Sequence, residues 1–202
     1  MLYVQLNRRI AFNYQLVTVA VLGLIGRITL GVLIVLPGLA LAQPFDLTKV
    51  QQRLFDVVDR TSPAVVEVQR RGAVFSGVIV SPSGFILTAG HTIVPGERYT
   101  IVLNDGRRLS GQALGACEQM RGERIDCGLI RVIHSEELPY VPLGNSSKLQ
   151  EDQPCLSISY PGGQRSGNQP VLRLGFVQRP NRQGRMLQTS ALMEPGDSGG
   201  PL

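Results

Sequence analysis

Apolar residues recur at Leu47, Val50, Leu54, Val57 and Val58 within Asp46–Arg60, a spacing that lines one face of a helix. Asp46 stands where an N-cap is wanted, and the helix is expected to pack on the strands that follow. Ser62-Pro63 stops it, because proline disfavours the helical conformation in the residue before it. From Ala64 to Gln69 the alternation becomes that of a strand. Further strands are predicted at Val74–Ser81, Phe85–Thr88, Arg98–Leu103, Arg108–Leu114 and Cys127–Val132. Turns are marked by Ser81-Pro82-Ser83-Gly84 and by Asn104-Asp105-Gly106, the latter a hairpin signal. These strands suffice for one small closed barrel. Ile133–Leu143, with Pro139 and Pro142, reads as a connector, and strands follow near Cys155–Tyr160, Val171–Gln178 and Arg185–Thr189. Pro161-Gly162-Gly163 and Arg179-Pro180-Asn181 punctuate them as loops. The pattern is all-β with one short N-terminal helix.

The first 42 residues follow another pattern. Arg8 and Arg9 precede an apolar stretch that begins at Leu16 and is broken by Arg27, Ile28–Leu36 is almost wholly apolar, and Ala40-Leu41-Ala42 follows. These are the parts of an export signal with cleavage before Gln43. An arginine is costly at mid-bilayer, so the segment reads as a long n-region followed by a short h-region and not as one continuous span; the rival reading is an uncleaved anchor starting near Ile28. Twin-arginine export rests on Arg8-Arg9 alone, with loosely matching neighbours.

Charge changes the picture little. The formal net charge is +5. Residues 1–42 contribute three arginines and no acid, which leaves 17 basic against 15 acidic residues and a net of +2 for the remainder. A near-neutral domain with scattered arginines gives no support to nucleic-acid binding. With 23 Gly, 13 Pro and no Trp the composition suits a turn-rich β protein. Export implies an oxidising compartment, in which three cysteines need an account. Cys117 closes one predicted strand and Cys127 opens the next, so a disulfide between them is sterically reasonable. Cys155, on an alternating strand, reads as a small buried hydrophobe. Three Cys and two His could suggest zinc, but no Cys-x-x-Cys or His-x₃-His spacing is present, and no metal is expected. Gly162-Gly163 lacks the following helix and Gly-Lys-Ser/Thr ending of a phosphate loop.

The chemistry gathers in three places. Glu194-Pro195-Gly196-Asp197-Ser198-Gly199-Gly200-Pro201-Leu202 sets a serine among glycines. A serine hydroxyl needs an adjacent base and a pocket for the oxyanion, and the glycines let the N–H groups of Gly196 and Ser198 converge on one spot. Phe85-Ile86-Leu87-Thr88-Ala89-Gly90-His91 places a histidine after an apolar strand. For the third member Asp126, at the head of an apolar strand, is favoured over Asp105, which an Asn-Asp-Gly turn explains on backbone grounds. His134, beside Ser135-Glu136-Glu137, reads as solvated. The order His, Asp, Ser is that of the chymotrypsin-type triad.

Ser76-Gly77-Val78-Ile79-Val80-Ser81-Pro82-Ser83-Gly84-Phe85-Ile86-Leu87-Thr88-Ala89-Gly90-His91 and Gln188–Leu202 together resemble the trypsin-like family in its bacterial HtrA/Deg branch, a resemblance that runs from about Phe45 to the end. It implies two antiparallel β-barrels with the site in the cleft between them, and a serine endopeptidase in which Ser198 attacks, His91 is the base, Asp126 orients it and the Gly196 and Ser198 amides hold the oxyanion. It further implies polypeptide substrates, unfolded or damaged exported proteins among them, homo-trimers, an envelope or periplasmic location, and no cofactor. The corresponding divisions are 1–42 export segment or anchor, 43–62 helix and lead-in, 63–133 first barrel, and 134–202 connector and partial second barrel. Strands that would complete the second barrel are not in the sequence, so by the resemblance this stretch alone lacks useful activity. The alternative is a protein-binding remnant that keeps the motifs without the machinery. Two departures stand out. Asp126-Cys127-Gly128-Leu129 replaces the branch's commoner Asp-aliphatic-Ala, and Asp197 stands where the branch more often has asparagine. In trypsin-like zymogens an aspartate there receives a newly cut amino terminus. Arg165, Arg173, Arg182 and Arg185 are candidate cations for it, with nothing in the sequence to choose among them.

Overall fold

The computed structural model describes residues 46–202 apart from 121–122, 135, 163–168 and 181–185, and apart from the side chains of 118–120 and 123–124. The expected export segment 1–42 and the candidates Arg165, Arg182 and Arg185 lie outside the described residues. Helix α1 spans Leu47–Thr61, and Asp46 caps it by accepting from the amides of Thr48 and Lys49 at 3.1 and 3.3 Å. Pro63 then turns the chain through a short 3₁₀ segment, Ser62–Ala64. The helix has the expected span but not the expected packing. None of its residues is buried, and Leu47, Val50, Phe55 and Val57 remain exposed. Its apolar spacing reports a face suited to burial, and among the described residues little covers that face.

Six strands follow: β1 Val65–Arg70, β2 Ala73–Ile79, β3 Phe85–Thr88, β4 Arg98–Val102, β5 Arg108–Met120 and β6 Glu123–Ile133. They close an antiparallel barrel in the order β1-β2-β3-β6-β5-β4, with β4 pairing back onto β1 through Glu67↔Val102 and Gln69↔Thr100. Closure removes the free edges a small sheet would otherwise expose. Val66, Val68, Phe75, Ile79, Ile86, Tyr99, Ile101, Ile130 and Val132 fill the interior. There Phe75 and Tyr99 meet edge to face, with ring centroids 5.9 Å apart.

β5 and β6 run well beyond the limits that the apolar pattern set at Leu114 and Cys127. They continue as a two-stranded arm in which Cys117 faces Cys127, with register shifts near Ala113/Gly115 and Cys117/Gln119. Hydrophobic alternation marks a strand only where one face meets a core, and Leu114 at the root of the arm is already half exposed. All three cysteines are thiols in the structure.

A second sheet is built from β7 Pro154–Ser159, β8 Val171–Arg179 and β9 Gln188–Thr189, in that order and antiparallel. Val65, Leu156, Ile158 and Tyr160 join it to the barrel in a second apolar cluster. Tyr160 is the polar pin of that cluster. Its hydroxyl donates to Asn104 Oδ1 at 2.9 Å. Burial, aided by the charge of Glu67, raises its pKa to about 12. A group whose folded pKa lies above its unfolded value of 10 contributes stability that is intact below pH 10 and lost as the pH rises through 12. Alkaline titration followed by tyrosinate absorbance should therefore show Tyr160 ionising only near pH 12, and Tyr160→Phe should lower the absorbance change there by one tyrosine. An unchanged amplitude near pH 12 in Tyr160→Phe would contradict the assignment.

Candidate active site

His91 sits in a 3₁₀ turn, Gly90–Thr92, directly after β3 and Ala89. Asp126 reaches it from β6, the strand paired with β3 through Thr88↔Gly128 and Leu87↔Leu129. Gly90 is what lets them meet. A Cβ there would lie 2.9 Å from the Cys127 carbonyl oxygen and 3.1 Å from Asp126 Oδ1. The carboxylate grips the histidine twice, accepting from the His91 amide on Oδ1 at 2.8 Å and from ring Nδ1 on Oδ2 at 2.5 Å. A carboxylate on Nδ1 places the ring proton there and leaves Nε2 as the acceptor.

Partial burial pushes the Asp126 carboxyl up, but hydrogen bonds from the His91 ring and from the His91 and Gly90 amides, with the charge of His91, bring it below its ordinary 3.8. The linked stability is present above pH 3.8 and lost as the pH falls through the lower folded value. With the His91 and Asp126 side chains 56% and 42% exposed, solvent screening keeps that contribution small. Asp105 is engaged elsewhere, accepting from the Arg107 amide at 3.0 Å and from Arg107 Nε at 2.8 Å. His134 is not solvated as its neighbours suggested. Its ring lies half-buried against Gly84 and Val132, because β6 carries it over the β2–β3 turn.

The serine loop is held against the first barrel by contacts that span most of the chain. Ser76, fully buried on β2, donates its amide to the Ser198 carbonyl at 3.0 Å and its hydroxyl to the Gly196 carbonyl at 2.8 Å, and it accepts from the Tyr160 amide at 2.9 Å. Thr88 Oγ1 donates to the Ser76 carbonyl at 2.7 Å. Gly199 packs onto Thr88, Ser76 and the Ala89 amide, close to His91 in the chain. Gly196 (φ +102°) and Gly199 (φ +89°) occupy left-handed conformations that a side chain would strain. Among the described residues the amides of Gly196 and Ser198 donate no hydrogen bond, and none joins Ser198 Oγ to His91 Nε2.

Asp197 points the other way, into the protein. Its carboxylate accepts from Ser159 Oγ at 2.7 Å, from the Glu194 amide at 2.6 Å and from Arg173 Nη1 on Oδ1 at 3.0 Å, and its Oδ2 is ion-paired with the same Nη1 at 2.9 Å. Among the described residues, the candidate cation that meets Asp197 is Arg173; Arg165, Arg182 and Arg185 lie outside them. Ser76 and Ser159 are residues of the site that the sequence did not single out, and Arg173 was one of four candidate cations among which it could not choose. The one available signal for it was a charge set directly between Leu172 and Leu174.

A family model, the trypsin-like peptidase domain, matches residues 75–202. Serine protease HTRA1 of Xenopus laevis is 30% identical over 168 residues, which cover 73% of this chain and 35% of that protein. A Synechocystis protein named "Putative serine protease HhoA" is 29% identical over 154 residues, 71% of this chain and 37% of its own length. "Probable periplasmic serine endoprotease DegP-like" of Chlamydia trachomatis is 30% identical over 142 residues, 66% and 27% respectively. The chain spans about a third of the length of the curated relatives it matches. A closed antiparallel barrel, a partial second sheet and the matching motif loops agree with these likenesses: the chain belongs to the trypsin-like peptidase domain family, on its HtrA/Deg side.

Proposed function

We propose that this chain carries the catalytic centre of a serine endopeptidase acting on exported polypeptides. The observation that carries the reading is the two-point grip of Asp126 on His91 beside a serine loop bonded to the same barrel wall through Ser76. In this reading Ser198 Oγ attacks the peptide carbonyl while His91 Nε2 takes its proton and later returns it to the leaving amine. Asp126 holds the ring and stabilises the imidazolium. The Gly196 and Ser198 amides, which donate no hydrogen bond among the described residues, receive the oxyanion. In an apo site the nucleophile–base hydrogen bond is often long and tightens only with substrate. No step calls on a metal or organic cofactor.

The DegP-like relatives are named as periplasmic, which supports an extracytoplasmic location together with the signal-like pattern of residues 1–42. In that compartment we place a disulfide between Cys117 and Cys127. Facing positions on antiparallel strands bring Cα atoms to about 4.5–5.5 Å, within the range a disulfide needs. So short a loop adds roughly 2–3 kcal/mol in the chain-entropy model. Intact mass should rise by two hydrogens on reduction, with Cys155 alone alkylated beforehand; alkylation of all three without reductant would end the proposal.

The missing Ser198–His91 hydrogen bond favours one other reading, a peptide-binding remnant that does not cleave. Incubation of the whole protein with casein separates the two. Cleavage blocked by a serine-directed sulfonyl fluoride is expected, and binding without cleavage would establish the remnant.

A further inference from the structure

The residue before the nucleophile is a buried carboxylate with partners on both of its oxygens. Asp197 is 6% exposed, and Ser159 Oγ, the Glu194 amide and both contacts of Arg173 Nη1 occupy its two oxygens. Arg173, on β8 with its side chain 14% exposed, also reaches Glu194 Oε2 through Nη2 at 3.0 Å. One guanidinium thus clamps both acids of the Glu194–Ser198 turn. A carboxylate taken out of water is costly unless it is paired and hydrogen-bonded, so Asp197 stays inward only while Arg173 is there. Releasing it would rotate the Asp197–Ser198 peptide unit, which carries the Ser198 amide, and disturb the adjoining Gly196, whose own amide lies in the Pro195–Gly196 unit.

Resting on the endopeptidase reading above, we propose that Arg173 is a positioning residue, an internal cation that holds the Glu194–Ser198 turn in its oxyanion-binding form. Among the described residues Arg173 is the cation that meets both oxygens of Asp197. The clamp is complete within the second sheet and its loop, and the oxyanion site is formed before substrate arrives.

The test compares the whole protein with Arg173→Met, Arg173→Lys and the double variant Arg173→Met/Asp197→Asn. Steady-state kinetics on a peptide substrate give kcat and KM, and a fluorophosphonate probe reports labelling of Ser198. Loss of oxyanion support typically costs about 100-fold or more in kcat. Arg173→Met should show that loss with KM within about threefold of the parent, a split that a general loosening of the fold would not give. Arg173→Lys, which keeps the charge without the fork, should fall between. The double variant removes the stranded charge, since the asparagine side chain can accept from the Glu194 amide and donate to Ser159, while exposed Glu194 turns to water. It should recover kcat to within about tenfold of the parent. Should Arg173→Met fail to fold, the double variant decides alone. Arg173→Met with kcat near the parent's overturns the proposal, as does a double variant that stays inactive or unfolded. A parent that neither turns over substrate nor labels at Ser198 overturns the endopeptidase reading itself, and this proposal with it.

Discussion

Ser198→Ala is expected to lower casein turnover by at least about four orders of magnitude while leaving the melting temperature within a degree or two of the parent. Loss on this scale is due because the members of a nucleophile–base–orienter set act as one unit, so removing the nucleophile leaves only the residual help of the oxyanion amides. The structure says why stability should hold. Ser198 is tied to the barrel by its main chain, its carbonyl accepting from the Ser76 amide at 3.0 Å, and among the described residues its hydroxyl makes no hydrogen bond that the substitution would delete. Circular dichroism and thermal melting beside the casein assay check both halves. A Ser198→Ala protein with parental turnover would remove the nucleophile from the account, and one that unfolds would show a structural role for the hydroxyl that the contacts do not contain.

Gly199→Ala should be as damaging, by a different route. A Cβ at Gly199 would collide with Thr88 Oγ1 and the Ser76 carbonyl oxygen and come within 2.9 Å of the Ala89 amide nitrogen. None of these can give way cheaply. Two are backbone atoms, and Thr88 Oγ1 is itself bonded to the Ser76 carbonyl. Its φ of +89° adds a strain of about 1–2 kcal/mol for any L side chain. The loop must therefore lift off β2, carrying Ser198 and both oxyanion amides with it. Activity should fall at least about 100-fold. Gly96→Ala is the control. Gly96 has φ +81° but open space around it, so it should show the strain alone, a loss of about 1–2 kcal/mol with turnover near the parent's. Equal damage in the two variants would mean that conformational strain, and not the close approach to Thr88 and Ser76, decides the outcome.

What the sequence revealed and what it hid divide along contact distance. β1, β3 and the helix cap were legible because each is written in a few consecutive residues. His91 and Ser198 stood out for the same reason, each inside a short glycine-marked motif. Asp126 had to be weighed against Asp105, and the contacts differ: Asp126 meets His91 while Asp105 serves Arg107 within its own turn. The loop's supports were not legible. Ser76 and Gly196 are 120 positions apart and Arg173 and Asp197 are 24 apart, and no periodicity encodes which buried hydroxyl or arginine meets which loop. The β5–β6 arm was missed because apolar alternation fades where a hairpin leaves the core. The exposed face of α1 erred in the opposite direction, its spacing promising a burial that few of the described residues supply.

The central claim is that His91, held by Asp126, activates Ser198. Its most direct measurement is the rate at which a fluorophosphonate forms a covalent adduct, followed by intact mass with peptide mapping of the modified residue, in the whole protein and in His91→Ala. The account predicts a single adduct on Ser198, formed rapidly in the parent and slowed by at least about 100-fold in His91→Ala, in line with the usual contribution of a positioned base. An adduct on another residue, no adduct at all, or labelling of Ser198 at the parental rate without the His91 imidazole would contradict it.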